Sequence, residues 1–446
     1  MMPSNTLLLV KTFIKSTSDI NVLKHSKDKA KRKYATNSLV GHVILAVVLL
    51  GYATALSVGL AHYGQAQVLP EICALLLIAM PFMFTLFKAN GYLFGFKEYD
   101  MIMSMPFSVK SIVSAKFWYM YIKSMPMYSL ISLAMLIGYG VGGCLKAWSL
   151  LEWIVITLAL PVIPMVIASA LGAIVVKIGS SFKYKNIVQA VIITILILPA
   201  FFARFFVENT MNAEGAEAMM NSIADGVGST TKYIPFAKWF SEAVNDGVVS
   251  SFLIIVACSI LVYELFFIIL SKHYRKMNSQ LAAGSSSKKY ELTEQKQTSM
   301  VKSIAYKEFK RMTGSTTYLL NAGMGQIMVA IMGVAFIFVK PEEIVESMMQ
   351  GAPIDAAILF PAIPMLLYFM IGMAPTTCMS PSLEGKNYWI MQTLPISPMD
   401  DNKGKILYNF YVSIPVITFA TITASICFRA SLIDAIASVI AMISLC

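Results

Sequence analysis

Long stretches without a single Asp, Glu, Lys or Arg recur along this chain, at 43–70, 72–87, 124–145, 153–176, 186–203, 247–263, 312–339, 356–383 and 406–428. A helix crossing the ~30 Å hydrocarbon core of a bilayer needs about 20 largely apolar residues. These stretches therefore predict nine full spans, near 40–61, 69–88, 119–143, 150–176, 186–207, 248–271, 318–339, 355–379 and 406–428. A tenth opens near Leu432 and meets Cys446. A helix of that length reaches only ~22 Å, so the chain is expected to stop inside a span. Composition points the same way. Of 446 residues, 57% are hydrophobic and 13% charged, about half the ~25% of ordinary globular proteins. A soluble core could not hide this much apolar surface. The expected fold class is an all-α polytopic membrane protein.

The charges sit between the spans. Thirty-five Lys+Arg against 24 Asp+Glu give a net +11, but the basic residues form no fold of their own, and nucleic acid is not an expected partner. Their placement reports orientation instead. With the N-terminus in the cytoplasm, the inside segments before 40 and at 88–123, 177–185, 272–311 and 386–405 carry 8, 5, 3, 10 and 3 basic residues, 29 in all. The outside segments carry five: Lys146, Lys232, Lys238, Lys340 and Arg429. Arg204 lies near the outer end of the fifth span. The longest outside segment, about 208–247, is acidic, with Glu208, Glu214, Glu217, Asp225, Glu242 and Asp246.

Shifting the chain by 289 residues aligns two of the inside segments. EYDMIMSMPFSVKSIVSAKFWYMYIKSMP from Glu98 meets NYWIMQTLPISPMDDNKGKILYNFYVSIP from Asn387. Tyr99 matches Tyr388, Pro106 matches Pro395, Ser108 matches Ser397 and Lys116 matches Lys405; Tyr119, Ser124 and Pro126 match Tyr408, Ser413 and Pro415. A looser echo links Lys31–Arg32 before the first span to Lys310–Arg311 before the seventh. Six spans separate the copies, so the halves run parallel. Each proline should end a helix just before it, and each serine should cap the next one. Pro398 at the first helical position, with Asp400 and Asp401 in the first turn, strengthens the second copy.

A cytoplasmic Tyr-x6-Pro-x-Ser-x7-Lys between the second and third spans of a six-span unit resembles the ABC-2-type export permeases, most closely the large kind with two fused halves. The resemblance implies two parallel six-helix repeats, the second incomplete here with about ten spans in the chain. It implies amphipathic elbows at about 5–20 and 299–312, and loops at 96–116 and 385–405 that dock on an ATPase. Tyr99, Pro106, Ser108, Lys116, Tyr388, Pro395, Ser397 and Lys405 are then the docking and coupling residues. The expected organisation is an N-terminal elbow region (1–38), a first half (39–271), a polar linker (272–298), and a second elbow with an incomplete second half (299–446). The expected location is the cell (plasma or inner) membrane, with the N-terminus cytoplasmic. The expected partner is an ABC ATPase, as a dimer. Export rather than import is implied, because such systems need no soluble binding protein.

Other chemistry finds little footing. No GxxxxGK[ST] phosphate loop occurs in the sequence, so no cofactor is expected in this chain and ATP would bind the partner. The chain itself is then not expected to be an enzyme. His25, His42, His62 and His273 lack metal-ligand spacing, and the six cysteines lack CxxC spacing. GYGVGG at 138–143 reads as a site of close helix packing. Glu342 and Glu343 have no basic or histidine partner nearby in sequence. Glu264 lies within a span and needs a partner from a neighbouring helix or from Lys272. An ion- or proton-coupled secondary transporter is the alternative, although it would be expected to carry deep paired carboxylates. An intramembrane enzyme would need clustered His, Glu or Ser-His partners, and a scaffold would not need a docking motif twice.

Overall fold

A computed structural model describes residues 4–93, 99–180, 186–195, 224, 226–228, 230–283, 297–338, 360–372 and 376–445. Among the described residues every regular element is helical and there is no strand. Backbone polar groups in a bilayer find no water and must be satisfied within the segment, which favours helix throughout. The first helices are α1 (Ser4–Thr17), α2 (Asp19–His25), α3 (Lys29–His62), α4 (Leu69–Tyr92), α5 (Tyr99–Met103), α6 (Val109–Val141), α7 (Ala147–Ala159) and α8 (Val162–Ser180). They continue with α9 (Asn186–Ile195), α10 (Pro235–Ser241), α11 (Val249–Ala283), α12 (Met300–Thr313), α13 (Thr316–Ala322) and α14 (Met324–Phe338). The last are α15 (Ala362–Gly372), α16 (Thr376–Glu384), α17 (Tyr388–Thr393), α18 (Pro398–Cys427) and α19 (Leu432–Leu445).

Seven stretches among the described residues are long and apolar enough to cross a membrane: Lys29–His62, Ala66–Lys88, Val109–Val141, Ala147–Ile178, Val249–Lys276, Ala362–Glu384 and Pro398–Cys427. They account for seven of the nine expected full spans. The fourth is broken at Leu160–Pro161 into α7 and α8, where proline cannot donate to the helix ladder. The eighth runs later than expected, through α15 and α16, and its expected first residues fall outside the described ones. The expected seventh span is interrupted: Gly323 closes α13, and the apolar helix that follows, α14, has only 15 residues. Of the fifth, only Asn186–Ile195 is described; Arg204, residues 208–223 of the acidic loop, Glu342, Glu343 and residues 284–296 of the polar linker lie outside the described residues.

The chain divides into two compact units, residues 1–181 with 195–287, and residues 182–194 with 288–446. In the first, α3 crosses α6 at Gly138, where a Cβ would lie 2.6 Å from Ser57. Ser57 Oγ donates to the Ala134 carbonyl at 2.7 Å there. Of the glycine run, Gly138 and Gly142 thus serve close packing. An aromatic stack of Tyr139, Trp153 and Phe240 joins α6, α7 and α10. Glu264 finds its partner on a neighbouring helix: Lys110 Nζ stands 2.8 Å from Oε2, with both side chains about half exposed. In the second unit Val329, Leu367, Ile417, Ala420 and Met442 form the core. The start of the fifth span belongs to this second unit. Asn186 Nδ2 donates to the Thr313 carbonyl at 3.1 Å, and Thr316 Oγ1 donates to Gln189 Oε1 at 2.9 Å.

Candidate functional site: two proline-broken excursions

The two matched segments adopt the same local backbone. After α5 the Phe107 N–H donates to the Met105 carbonyl at 2.7 Å, and after α17 the Ile396 N–H donates to the Leu394 carbonyl at 2.7 Å. Each is a tight turn centred on the matched proline, Pro106 or Pro395. The next residue but one then starts a helix. Ser108 (φ −66, ψ 144) accepts from the Ser111 N–H, and Ser397 (φ −71, ψ 145) accepts from the Asp400 N–H. These bonds, 3.1 and 3.0 Å long, satisfy a donor that the first helical turn would leave open. Pro398 occupies the first position of α18, with Asp400 and Asp401 in its first turn.

Each capped helix carries an amphipathic helix across its first turns. In the first unit Leu9 and Val10 of α1 pack with Ile102, Ile112 and Ala115. Thr17 accepts a hydrogen bond from the Tyr119 hydroxyl at 2.9 Å. In the second unit Ile304 of α12 lies against Gly404, and Met312 contacts Tyr408. Ala115 and Gly404 are matched positions, as are Tyr119 and Tyr408. The same register therefore offers a small residue beneath the crossing helix and a tyrosine one turn on.

The lysines of the motif point inward. Lys116 is 7% exposed and Lys405 6%. Lys116 Nζ donates to the Tyr274 hydroxyl at 3.3 Å, and that hydroxyl donates to the Leu93 carbonyl at 2.6 Å. Lys405 Nζ lies 3.4 Å from Glu384 Oε2 and 2.7 Å from Asp401 Oδ2.

Around Lys405 the structure assembles a charge cluster that the sequence reading missed. Glu308 sits fully buried on the inner face of α12, beside Ile304, Ala305 and Met312. It pairs with Lys307 at 3.1 Å and Arg311 at 3.2 Å, and accepts from Ser380 Oγ at 2.9 Å. Lys307 also reaches Glu384 Oε1 at 2.9 Å. Three acids and three bases thus balance, which is what lets buried charges persist. The Asp401–Lys405 and Glu308–Arg311 spacings were readable signals for part of it. Below the cluster α18 continues a polar face, with Asn409 accepting from Thr376 Oγ1 at 2.6 Å and Ser413 accepting from Gln326 Nε2 at 3.3 Å.

The outer surface differs between the segments. α17 has no buried residue; Trp389 is 60% exposed, and Tyr388, Ile390 and Leu394 are exposed beside it. In the first segment Met101, Met105 and Pro106 are exposed while Ile102 is buried; the side chain of Tyr99 lies outside the described residues. No cluster of three or more metal-ligating side chains occurs among the described residues.

A family model described as "Putative ATP-binding cassette" matches residues 57–339, well over half of the chain. No curated protein and no solved structure matches it significantly.

Proposed function

The chain belongs to the ATP-binding cassette transporter family, and from that premise we propose that it is the membrane-spanning permease subunit of an ATP-driven exporter of the ABC-2 type. A separate ATPase subunit hydrolyses ATP, and the solute passes between two parallel halves. The family's label speaks of nucleotide binding, yet this sequence has no phosphate loop. Within such a family, a chain of apolar helices without that loop fits the membrane partner. The repeated excursion supports two halves: turn and cap recur at a constant offset of 289 residues, and each capped helix is crossed by an amphipathic helix.

The observation that carries the docking role is the apolar tip of the second excursion. Tyr388, Trp389, Ile390 and Leu394 stand exposed on a segment whose base is held by buried ion pairs. Aromatic residues presented on a rigid base are favoured anchors for a protein partner. The orientation expected from the basic residues puts this tip in the cytoplasm, where the ATPase works. Trp389→Ala and Leu394→Glu should leave the chain folded, because both side chains are exposed, while lowering co-purification of the ATPase by at least about tenfold. Normal co-purification with both variants would reduce the tip to an interfacial anchor in the headgroup layer.

A further inference from the structure

The matched lysines stand at the necks of the two excursions. The first excursion leaves the membrane helix α4 at Leu93 and returns through Lys116 of α6. The second leaves α16 at Glu384 and returns through Lys405 of α18. We propose that each lysine is a neck clasp, tying the returning helix to the departing one so that excursion and span move as a single body. Lys116 closes its neck through Tyr274 to the Leu93 carbonyl. Lys405 closes its neck directly on Glu384.

The clasps share a position and differ in chemistry. In the first, the intermediary is a hydroxyl carried by α11, a helix that belongs to neither arm of the excursion. In the second it is a carboxylate on the departing arm, and Lys307 and Arg311 bind that carboxylate to the crossing helix α12 as well. Burial makes the second clasp costly to open from one side. Glu384 is 3% exposed and Asp401 is held within a turn of Lys405. Removing the lysine leaves two carboxylates short of a cation in a site with little water. The first clasp depends on one hydroxyl that accepts from the lysine and donates to a main-chain carbonyl. Losing that hydroxyl removes a donor from the buried Leu93 carbonyl. A clasp at the neck is a positioning device: it touches neither solute nor nucleotide, and acts by fixing the angle at which the excursion is presented.

The clasp itself is independent of what docks on the excursions; its use in coupling rests on the permease reading. The experiment is hydrogen–deuterium exchange on the purified full chain in lipid nanodiscs, read separately in peptides covering 99–108 and 388–397. Lys405→Met should speed exchange in 388–397 by at least about tenfold and leave 99–108 at the wild-type rate. Tyr274→Phe, a milder change, should give the reverse pattern. In a Glu384→Gln background Lys405→Met should add less than it does alone, since one of its two carboxylate partners is already gone. Should Lys405→Met fail to fold, Tyr274→Phe and Glu384→Gln still carry the test. Wild-type exchange in both excursions, or equal acceleration in both from either variant, overturns the clasp. Opened excursions with unchanged ATP-driven transport would retain the clasp and retire the docking reading.

Discussion

Gly404 sets how closely the second crossing helix can approach α18. A Cβ added there would stand 2.6 Å from both Cβ and Cγ2 of Ile304, and 3.1 Å from the Val301 carbonyl oxygen. Carbon atoms pack comfortably from about 3.5 Å, so α12 would have to retreat by roughly 0.9 Å. Ile304 cannot swing away, because its Cβ is fixed to the main chain and its χ1 is stiff. Overpacking of this kind costs about 1–3 kcal/mol. Against it stands the gain of about 0.5–1 kcal/mol when alanine replaces glycine in a helix. Gly404→Ala should therefore destabilise the second unit by about 0–2.5 kcal/mol, and Gly404→Leu by more. Gly51 in α3 is the control: nothing lies within 4 Å of its added Cβ, so Gly51→Ala keeps the helical gain. Thermal unfolding of the purified full chain reads the difference, at about 2–4 °C per kcal/mol for a unit of this size. The expected order of melting temperature is Gly51→Ala at or above wild type, then Gly404→Ala, then Gly404→Leu. A retreat of α12 also draws Lys307 and Arg311 away from Glu384, so Gly404→Leu should weaken ATPase co-purification. A wild-type melting temperature for Gly404→Leu would refute the close crossing and the reasoning built on it.

Two further outcomes are expected. Ser108→Ala and Ser397→Ala each remove a cap worth about 1 kcal/mol; exchange at 109–112 and 398–401 should rise several-fold, with insertion unchanged. In a cysteine-free chain, Tyr233→Cys, whose site is 86% exposed, should react with impermeant maleimide on intact cells. Thr298→Cys should react only after permeabilisation, and the reverse pattern would invert the topology.

The proline break and serine cap were legible because both are local. Proline removes a donor from its own residue, and the serine oxygen answers an N–H three positions on. Most spans were legible for a similar reason, since transfer to lipid depends on composition along one short run. The interruption at Gly323 and the split at Pro161 were harder, because hydropathy does not register a helix that stops and restarts inside an apolar run. Which neighbour a lipid-length helix selects was not legible at all. Residues 186–194 group with the second unit through hydrogen bonds from Asn186 and to Gln189, and two amides in an apolar run announce no address.

The lysines show most sharply where a matched motif stops being informative. Lysine is mostly exposed in proteins, and at a loop expected to meet a partner an outward ammonium was the natural reading. Burial was decided elsewhere. Tyr274 lies 158 residues from Lys116, and Glu384 lies 21 residues from Lys405; neither partner is matched in the other copy. Only Asp401, one helical turn before Lys405, could be seen from the sequence. The backbone of the two excursions repeats because proline and serine carry their geometry with them. A lysine carries only a long arm and a charge, so each copy had to find its own acceptor. A shared motif residue therefore predicts where the neck lies and leaves the chemistry that closes it to the surrounding helices.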